Sequence, residues 1–238
     1  MDVQILQLLE GARDARGLTV IIDVFRAFST ACYAYGKDAA KIIPVGNIEK
    51  AYQLKKENPK FILMGEREEK KPTGFDFGNS PSLLSSANLS GKTIVHTTSS
   101  GTQGIEAALR ADEVITGSFV NASAIVQYIR NQNPETVSLV CMGYACEYPT
   151  DEDTLCAEYI KNELLGHDND FARMKKIIRR GSGKRFFEPE NQEWAPSNDF
   201  ELCLQRDIFD FILKVKNEGS INYLQKVRVA EKTNTITQ

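Results

Sequence analysis

This 238-residue sequence has few histidines, no paired cysteine motif and no long apolar run. Its two histidines, His96 and His167, are too few for di-metal sites rich in histidine, and His96 falls within an apolar strand pattern and is expected in the core. None of its five cysteines forms a Cys-x-x-Cys pair, which favours reduced, partly buried thiols over a disulfide framework or a zinc site. None is followed six positions later by arginine, which excludes the Cys-x5-Arg phosphatase loop.

An excess of positive charge is also missing. The 29 basic and 32 acidic side chains give a formal net charge of −3, so no nucleic-acid partner is indicated. The basic stretch 173–185 has acidic neighbours and is interpreted as a solvated face. The first residues lack the pattern of a signal peptide and no run reaches transmembrane length. We therefore expect a soluble, cytoplasmic protein without a membrane partner, and a homo-oligomer is compatible with the sequence.

Short apolar segments alternate with helical segments through residue 165. This alternation predicts an α/β fold with a mostly parallel or mixed sheet built from βαβ units. Beyond it, residues 168–206 read as helices, and 209–216 and 222–230 as a C-terminal strand pair. The predicted strands are 18–24, 41–45, 60–64, 93–97, 113–116 and 136–141, and the predicted helices are 26–35, 47–57, 82–87, 103–110, 121–131 and 152–165.

No change in composition marks a linker. We therefore predict a single unit over residues 1–238. Two α/β lobes, 1–125 and 126–238, with the site between them, are the alternative.

The most distinctive segment is residues 60–81, KFILMGEREEKKPTGFDFGNSP. A buried strand is followed by a long polar loop, and such loops inside a compact domain are often functional. The loop begins at a strand's carboxyl end, where open α/β sheets bind ligands. A plain surface excursion is the alternative. Its candidate site residues are Glu66, Arg67, Asp76, Asn79 and Ser80.

Residues 97–104, TTSSGTQG, follow a strand and open a helix. Free N–H groups at a helix N-terminus favour an anion, and small residues let an oxyanion approach the backbone. The lysine and glycine spacing of a Walker loop are missing, and an ordinary helix cap is the alternative. The candidate phosphate-binding residues are Thr98, Ser99, Ser100, Gly101 and Thr102, with Asn121 after the next strand.

Acidic residues lie at two further strand-to-helix junctions. Asp23 ends a strand, where a carboxylate can bind a hard cation or act as a nucleophile. Arg26 follows it and could clamp an anion. The acids 151–153 open a helix, whose dipole favours them in any case. If they share an edge of the sheet with Asp23, Glu152 and Asp153 are the preferred additional ligands of a Mg2+ ion.

These segments together resemble the 2-phosphosulfolactate phosphatase family over about residues 17–215. The matching segments are IDVFRAFST (22–30), GERE…GFDFGNSP (65–81), TTSSGT (97–102), GSFVNASA (117–124) and EDTLCAE (152–158). The second is the most specific. Two departures from the family pattern bear on substrate contact, because Ser100 stands where asparagine is frequent and Glu158 where glycine is usual.

The resemblance implies an α/β Mg2+-dependent hydrolase of coenzyme M biosynthesis. It would release phosphate from (2R)-phosphosulfolactate, a small phosphorylated, sulfonated hydroxy acid. Such a ligand needs several cationic or N–H donors, and the candidates are Arg26, Arg67, the 98–102 loop and Arg185.

In the expected mechanism, Asp23 and either Glu152 or Asp153 hold Mg2+, which orients water for in-line attack. Glu66 or Asp76 would activate water or protonate the leaving alkoxide. Arg67 and Asn79 would hold the carboxylate or sulfonate, while Arg26 and the 98–102 loop stabilise the phosphate oxygens. A competing mechanism makes Asp23 a nucleophile that forms an aspartyl-phosphate. A phosphatase for another small phosphorylated hydroxy acid is the enzymatic alternative. A non-catalytic sensor of such a ligand and a structural subunit are the two non-enzymatic hypotheses.

Overall fold

The computed structural model describes residues 1–219 and 221–229. In this part of the chain nine strands form one sheet, and eight α-helices accompany it. The strands are β1 (Asp2–Gln7), β2 (Leu18–Ile22), β3 (Lys41–Pro44), β4 (Ile62–Gly65), β5 (Thr93–Thr97), β6 (Glu113–Gly117), β7 (Thr136–Cys141), β8 (Phe211–Glu218) and β9 (Ile221–Arg228). The helices are α1 (Leu8–Asp14), α2 (Ala27–Gly36), α3 (Ile48–Glu57), α4 (Gly101–Ala107), α5 (Ala122–Gln132), α6 (Asp151–Leu165), α7 (Phe171–Arg180) and α8 (Ser197–Cys203).

The sheet consists of two parallel groups joined by a hairpin. Its strand order is β1-β7-β2-β6-β8-β9-β3-β5-β4. Strands β1, β7, β2 and β6 are parallel, and so are β3, β5 and β4. Between them, β6 pairs with β8, β8 with β9 and β9 with β3, each antiparallel. Because three antiparallel steps separate the groups, their strands run in opposite directions.

Both groups pack against one apolar cluster. Alternate residues of β2 face opposite sides of the sheet, so Ile21 contacts a cluster that does not include Val20 and Ile22. The cluster of Ile21 also contains Ile42 of β3 and Ile94 of β5, together with residues of α1, α2 and α4. The sheet therefore wraps around these helices, and strand twist, which is large in two-stranded ribbons, permits that curvature.

The predicted α/β class, the mixed sheet and the C-terminal strand pair are confirmed. Residue 230, the last of the predicted pair, lies outside the described residues, as do 231–238 of the predicted single unit. The predicted helix 82–87 is wrong, because residues 82–86 form turns and residue 87 is irregular. Strands from both sides of residue 125 lie side by side in the one sheet, and the single unit over residues 1–238 stays a prediction.

The sequence patterns did not predict β1 and α1. Strand β1 lies at the sheet edge beside β7, and Val3 is its one buried residue. An edge strand with mixed exposure carries little apolar periodicity, which explains the omission. None of the helices within residues 1–219 and 221–229 is long and apolar enough to span a bilayer.

Candidate active site

Loops that follow the carboxyl ends of β2, β4, β5 and β7 border a pocket of about 180 Å³. These loops lie together although the sheet is not parallel throughout. The bordering residues are Asp23, Phe25, Arg26, Glu66, Glu68, Glu69, Asn79, Ser99, Ser100, Gly143, Tyr144, Ala145, Glu147, Glu152 and Arg185.

Asp23 directly follows β2 and connects the two parallel groups of the sheet. Its Oδ1 accepts the backbone N–H of Ala27 at 3.0 Å, and its Oδ2 accepts that of Gly101 at 2.8 Å. A Cβ atom at position 101 would lie 2.9 Å from Oδ2, so a larger residue would displace the carboxylate. The β5–α4 junction is thus fixed to the end of β2.

Glu152 and Asp153 are neighbours in α6 with different surroundings. Asp153 Oδ1 accepts the N–H of Val24 at 2.8 Å, and Oδ2 accepts the N–H of Gly143 at 2.9 Å. It therefore ties together the loops after β2 and β7 and does not border the pocket. Glu152 does border it, and its Oε2 is buried without a hydrogen-bond partner among the described residues.

Burial raises the pKa values of these three acids, and the charges of neighbouring acids add to the shift for Asp23 and Asp153. Burial, with the charges of Glu66 and Glu152, raises the pKa of Asp23 to about 7. Burial also raises the pKa of Glu152, against the opposing effect of Arg185. The pKa of Asp153 lies well above its usual range because of burial and the charges of Glu152 and Asp23. Buried acids that oppose one another's ionisation require a proton or a cation for compensation.

The pocket-facing acids fit a magnesium ion. Within residues 1–219 and 221–229, no three acidic, histidine or cysteine side chains are already grouped as a metal site. Mg2+, however, usually takes one or two protein carboxylates together with waters and substrate phosphates. Asp23 and Glu152 supply two such carboxylates at the same pocket, and Glu152 has a buried oxygen without a partner.

Gly65 brings Glu66 close to β5. Its φ is +150°, and a Cβ atom there would lie 1.9 Å from the carbonyl oxygen of Thr97, so only glycine permits this approach. The Glu66 carboxylate then accepts the N–H of Ser99 at 2.6 Å, its hydroxyl at 3.0 Å, and the N–H of Glu69 at 2.9 Å. These hydrogen bonds hold Glu66 at the pocket.

Asp76 does not reach this pocket. Its Oδ2 accepts the N–H of Leu63 at 2.8 Å and the ammonium of Lys55 at 3.2 Å. The side chain is 41% exposed and borders a neighbouring cavity. Of the two acids predicted for proton transfer, Glu66 is therefore the one that the fold brings to the pocket.

The 98–102 loop differs from its predicted role, because protein carboxylates already accept from its backbone. Ser99 donates its N–H to Glu66, and Gly101 donates to Asp23. Acids from neighbouring loops thus occupy N–H groups that were expected to bind phosphate. The loop therefore positions the acids of the site.

The hydroxyl groups of this loop are engaged as well. Thr98 and Thr102 each donate a backbone N–H to the other's Oγ1, at 3.0 and 3.3 Å. Both are buried and neither borders the pocket. Ser100 does border it and donates its hydroxyl to the carbonyl of Gly143 at 2.9 Å.

Arg26 is fixed at the pocket wall by a buried ion pair. Its Nη1 lies 2.7 Å from Asp199 Oδ2 and donates to the carbonyl of Trp194 at 2.7 Å. Asp199 Oδ1 in turn accepts the N–H of Ser82 at 2.8 Å. This network links α8, the loop after β4 and the loop after β2.

Arg185 supplies a second guanidinium to the pocket. Its Nη1 lies 2.9 Å from Glu69 Oε1, and its Nη2 donates to the carbonyl of Phe25 at 3.2 Å. The rings of Phe25, Tyr144 and Phe186 lie 5.3–5.9 Å from its guanidinium carbon. The interpretation of 173–185 as a solvated face is thus wrong for its last residue.

Arg67 holds the loop together instead of facing the pocket. Its guanidinium donates to the carbonyls of Gly46 and Glu66 and to the hydroxyl of Thr97, at 2.7–2.8 Å. Burial lowers its pKa. The geometry therefore assigns it a positioning role.

The remaining predicted residues divide between pocket and core. Asn79 borders the pocket, whereas Ser80 borders only the neighbouring cavity. Asn121 is fully buried, and its amide donates to the carbonyl of Phe211 at 3.2 Å. Asn121 therefore supports β8 and not a ligand.

Sequence reasoning missed Asp199 and Glu69 as parts of the site. Asp199 pairs with an arginine 173 positions away, and no local pattern reveals such a contact. Glu69 follows Glu66 in the most specific motif, which was the available signal.

His96 in β5 is fully buried, as predicted. Its Nε2 lies 3.3 Å from Asn79 Oδ1. Burial lowers its pKa to about 3, and the charge of Arg67 adds to that shift. His96 is therefore neutral in the folded protein.

Acidification is expected to destabilise the protein through His96. In the unfolded chain this residue takes up a proton below about pH 6.5, but folded His96 excludes it until about pH 3. The stability present above pH 6.5 is thus lost as pH falls through this window, by about 2 kcal/mol between pH 6.5 and 5. His96→Gln keeps an N–H but does not titrate. When the pH is lowered from 7 to 5, the wild type should therefore lose about 2 kcal/mol of unfolding free energy that the variant keeps. Urea unfolding at both values measures it, and a constant difference would contradict it.

Taken together, the wrapped α/β sheet and its small pocket, bordered by two arginines and six acids, define an α/β protein with a charged site at the ends of its strands. The sequence model of the 2-phosphosulpholactate phosphatase family matches residues 4–218. The chain belongs to the 2-phosphosulfolactate phosphatase family.

Named relatives agree with this assignment. A Thermotoga maritima protein named "Probable 2-phosphosulfolactate phosphatase" is 37% identical over 215 residues, with 83% of this chain and 88% of the relative covered. Proteins of the same name from Caldanaerobacter subterraneus and Bacillus subtilis are 32% and 29% identical, with 83% and 88% of this chain and 87% and 92% of the relatives covered. The predicted family and enzyme class, a phosphoric monoester hydrolase, are confirmed.

Proposed function

We propose that this protein is a Mg2+-dependent phosphatase that hydrolyses the phosphate monoester of 2-phosphosulfolactate to sulfolactate and phosphate, as in coenzyme M biosynthesis. The family match over residues 4–218 carries this proposal. The pocket supports it, since two arginines and several carboxylates face one small space. A sensor of the same ligand would have no need of Asp23 and Glu152 as buried acids beside that ligand.

Arg26 and Arg185 would bind the anionic groups of the substrate. Arg26 lies nearer to Asp23 in sequence and is the proposed donor to the phosphate oxygens, whose charge it stabilises in the transition state. Its ion pair with Asp199 keeps the guanidinium in place before the substrate arrives. Arg185 would bind the carboxylate or sulfonate.

Asp23 and Glu152 would hold the magnesium ion, and Asp153 would position them from behind. When bound, Mg2+ polarises a phosphate oxygen and neutralises its charge. Glu66, fixed by Ser99 and Glu69, is the proposed group that takes a proton from water or gives one to the leaving alkoxide. An aspartyl-phosphate on Asp23 is the competing mechanism. With a substrate made chiral at phosphorus, direct attack by water inverts the configuration of the released phosphate, whereas a covalent intermediate, which needs two successive displacements at phosphorus, retains it.

The function is tested by phosphate release from racemic phosphosulfolactate with and without Mg2+. Phospholactate and phosphoglycerate are the controls. Mg2+-dependent turnover that prefers the sulfonated substrate is expected. Turnover of phospholactate or phosphoglycerate alone would support a phosphatase but contradict phosphosulfolactate as its substrate. Tight binding without turnover would favour a sensor.

Glu152→Gln is expected to raise the Mg2+ concentration for half-maximal activity by about tenfold or more, as changes in metal ligation commonly do. The substitution preserves shape, and Oε2 has no partner to lose in the described residues, so the melting temperature should not fall. Activity measured against Mg2+ concentration checks this. Glu147→Gln removes the same charge from an exposed position and is the matched control. An equal Mg2+ requirement in both variants would contradict the ligand assignment.

A further inference from the structure

The pocket is more acidic than a site for an anionic substrate should be. Its two bordering guanidinium groups, Arg26 and Arg185, are both already paired with carboxylates. An incoming acid group must therefore compete with a protein carboxylate for at least one of them. Six acids border the pocket: Asp23, Glu66, Glu68, Glu69, Glu147 and Glu152.

The two ion pairs differ in how easily they can open. The side chains of Arg26 and Asp199 are 5% and 0% exposed, and separating a buried pair leaves an uncompensated charge at large cost. The side chains of Arg185 and Glu69 are 18% and 20% exposed, so water can solvate Glu69 when it leaves. Competition should therefore take place at Arg185.

Glu69 has a place to move to. It borders both the pocket and a neighbouring cavity of about 640 Å³, whose other bordering residues include Lys70 and Lys71. A carboxylate that turned from one space to the other would leave the guanidinium for a larger space, which is bordered by these two lysines and by the acids Asp76, Glu190 and Glu193. Glu68 and Glu69 both have positive φ, 50° and 66°, which non-glycine residues seldom adopt.

We propose that Glu69 is a displaceable internal anion, which occupies Arg185 in the free enzyme and is replaced by the carboxylate or sulfonate of the substrate. The inference rests on the proposed function, because it takes the pocket as the substrate site. Glu69 thereby sets a threshold for binding. A ligand with phosphate alone gains Arg26 but cannot release Glu69, whereas a ligand with a second acid group gains both arginines.

The proposal predicts that removing the charge of Glu69 improves binding. Glu69→Gln should lower the Kd of racemic sulfolactate, the proposed product, about fivefold, which corresponds to about 1 kcal/mol. Glu68→Gln removes the same charge from the adjacent, exposed residue of the loop and should change Kd by less than about twofold. Isothermal titration calorimetry with Mg2+ present measures all three proteins.

A double-mutant cycle assigns the effect to Arg185. Arg185→Gln should weaken binding, and adding Glu69→Gln to it should bring no improvement, because the arginine that Glu69 occupies is gone. Thermal unfolding verifies that each variant is folded, and Glu69→Ala provides a second test with the carboxylate removed entirely.

Equal or weaker binding by both Glu69 variants would overturn the proposal and would make Glu69 a support for Arg185. Absence of sulfolactate binding in wild type and variants would overturn it too. A failure of the proposed function would give a different result. The wild type would then bind sulfolactate but would not release phosphate from phosphosulfolactate. The ratio of Kd values then still decides the role of Glu69.

Discussion

Asp23→Asn is expected to reduce kcat for phosphosulfolactate by on the order of 100-fold or more at saturating Mg2+. Asp23 is the acid that faces the pocket from the end of β2, and it belongs to either proposed mechanism, as metal ligand or as nucleophile. An amide replaces one anionic oxygen by a donor and therefore serves neither. Steady-state phosphate release, with Mg2+ varied to confirm saturation, measures the loss.

The same substitution also has a structural effect that must be separated. Both carboxylate oxygens of Asp23 accept backbone N–H groups, so an amide leaves one of them facing another donor, at a cost of about 1–3 kcal/mol. In Asp153→Asn the amide likewise faces one of two backbone N–H donors, but the substitution does not remove an acid that borders the pocket. Similar stability in the two variants, with at least tenfold more activity in Asp153→Asn, is the expected result. Equal activity of the Asp23→Asn and Asp153→Asn variants would contradict a role of Asp23 in the reaction.

Asp199→Ala is expected to destabilise the protein by about 3–5 kcal/mol. The buried guanidinium of Arg26 would then lack its counter-charge, and the N–H of Ser82 would lose its acceptor. For a chain of this size such a loss lowers Tm by on the order of 10 °C. Urea unfolding and a thermal scan measure it.

A double variant distinguishes charge burial from packing. Asp199→Leu combined with Arg26→Met removes both charges, so much of the stability should return. Activity should not return, because the proposed donor to the phosphate is missing. A single Asp199→Ala variant as stable as wild type would show that the ion pair contributes nothing to folding.

The strands other than β1, and the site acids that follow strand ends, could be predicted from the sequence for a physical reason. Apolar runs that end in polar residues mark strand ends, and Asp23 and Glu66 follow such runs directly. The segment 65–81 was also recognisable, because the local backbone requires two of its glycines, Gly65 and Gly74, which both have positive φ. Gly65, for example, has no room for a Cβ atom.

The hydrogen-bond and ion-pair partners of each side chain could not be predicted in the same way. Arg67 and Arg185 are both basic residues in polar segments, yet the first donates to backbone oxygens and the second faces the pocket. The N–H groups after β5 matched an anion site, but the anions that they bind are carboxylates of the protein. Which partner a side chain or N–H group binds depends on which segments, distant in sequence, the sheet brings together.

The β8–β9 hairpin, which joins the two parallel groups, has a consequence for folding. Until residues 211–228 have left the ribosome, the inner edges of β6 and β3 lack their partners, and unpaired strand edges are prone to associate with other chains. The ladder is completed by contacts between segments about 100 and 180 positions apart, and contacts of such sequence separation form slowly. Assembly of the pocket therefore belongs to the end of synthesis, and protection of the nascent chain by chaperones would matter most in that interval.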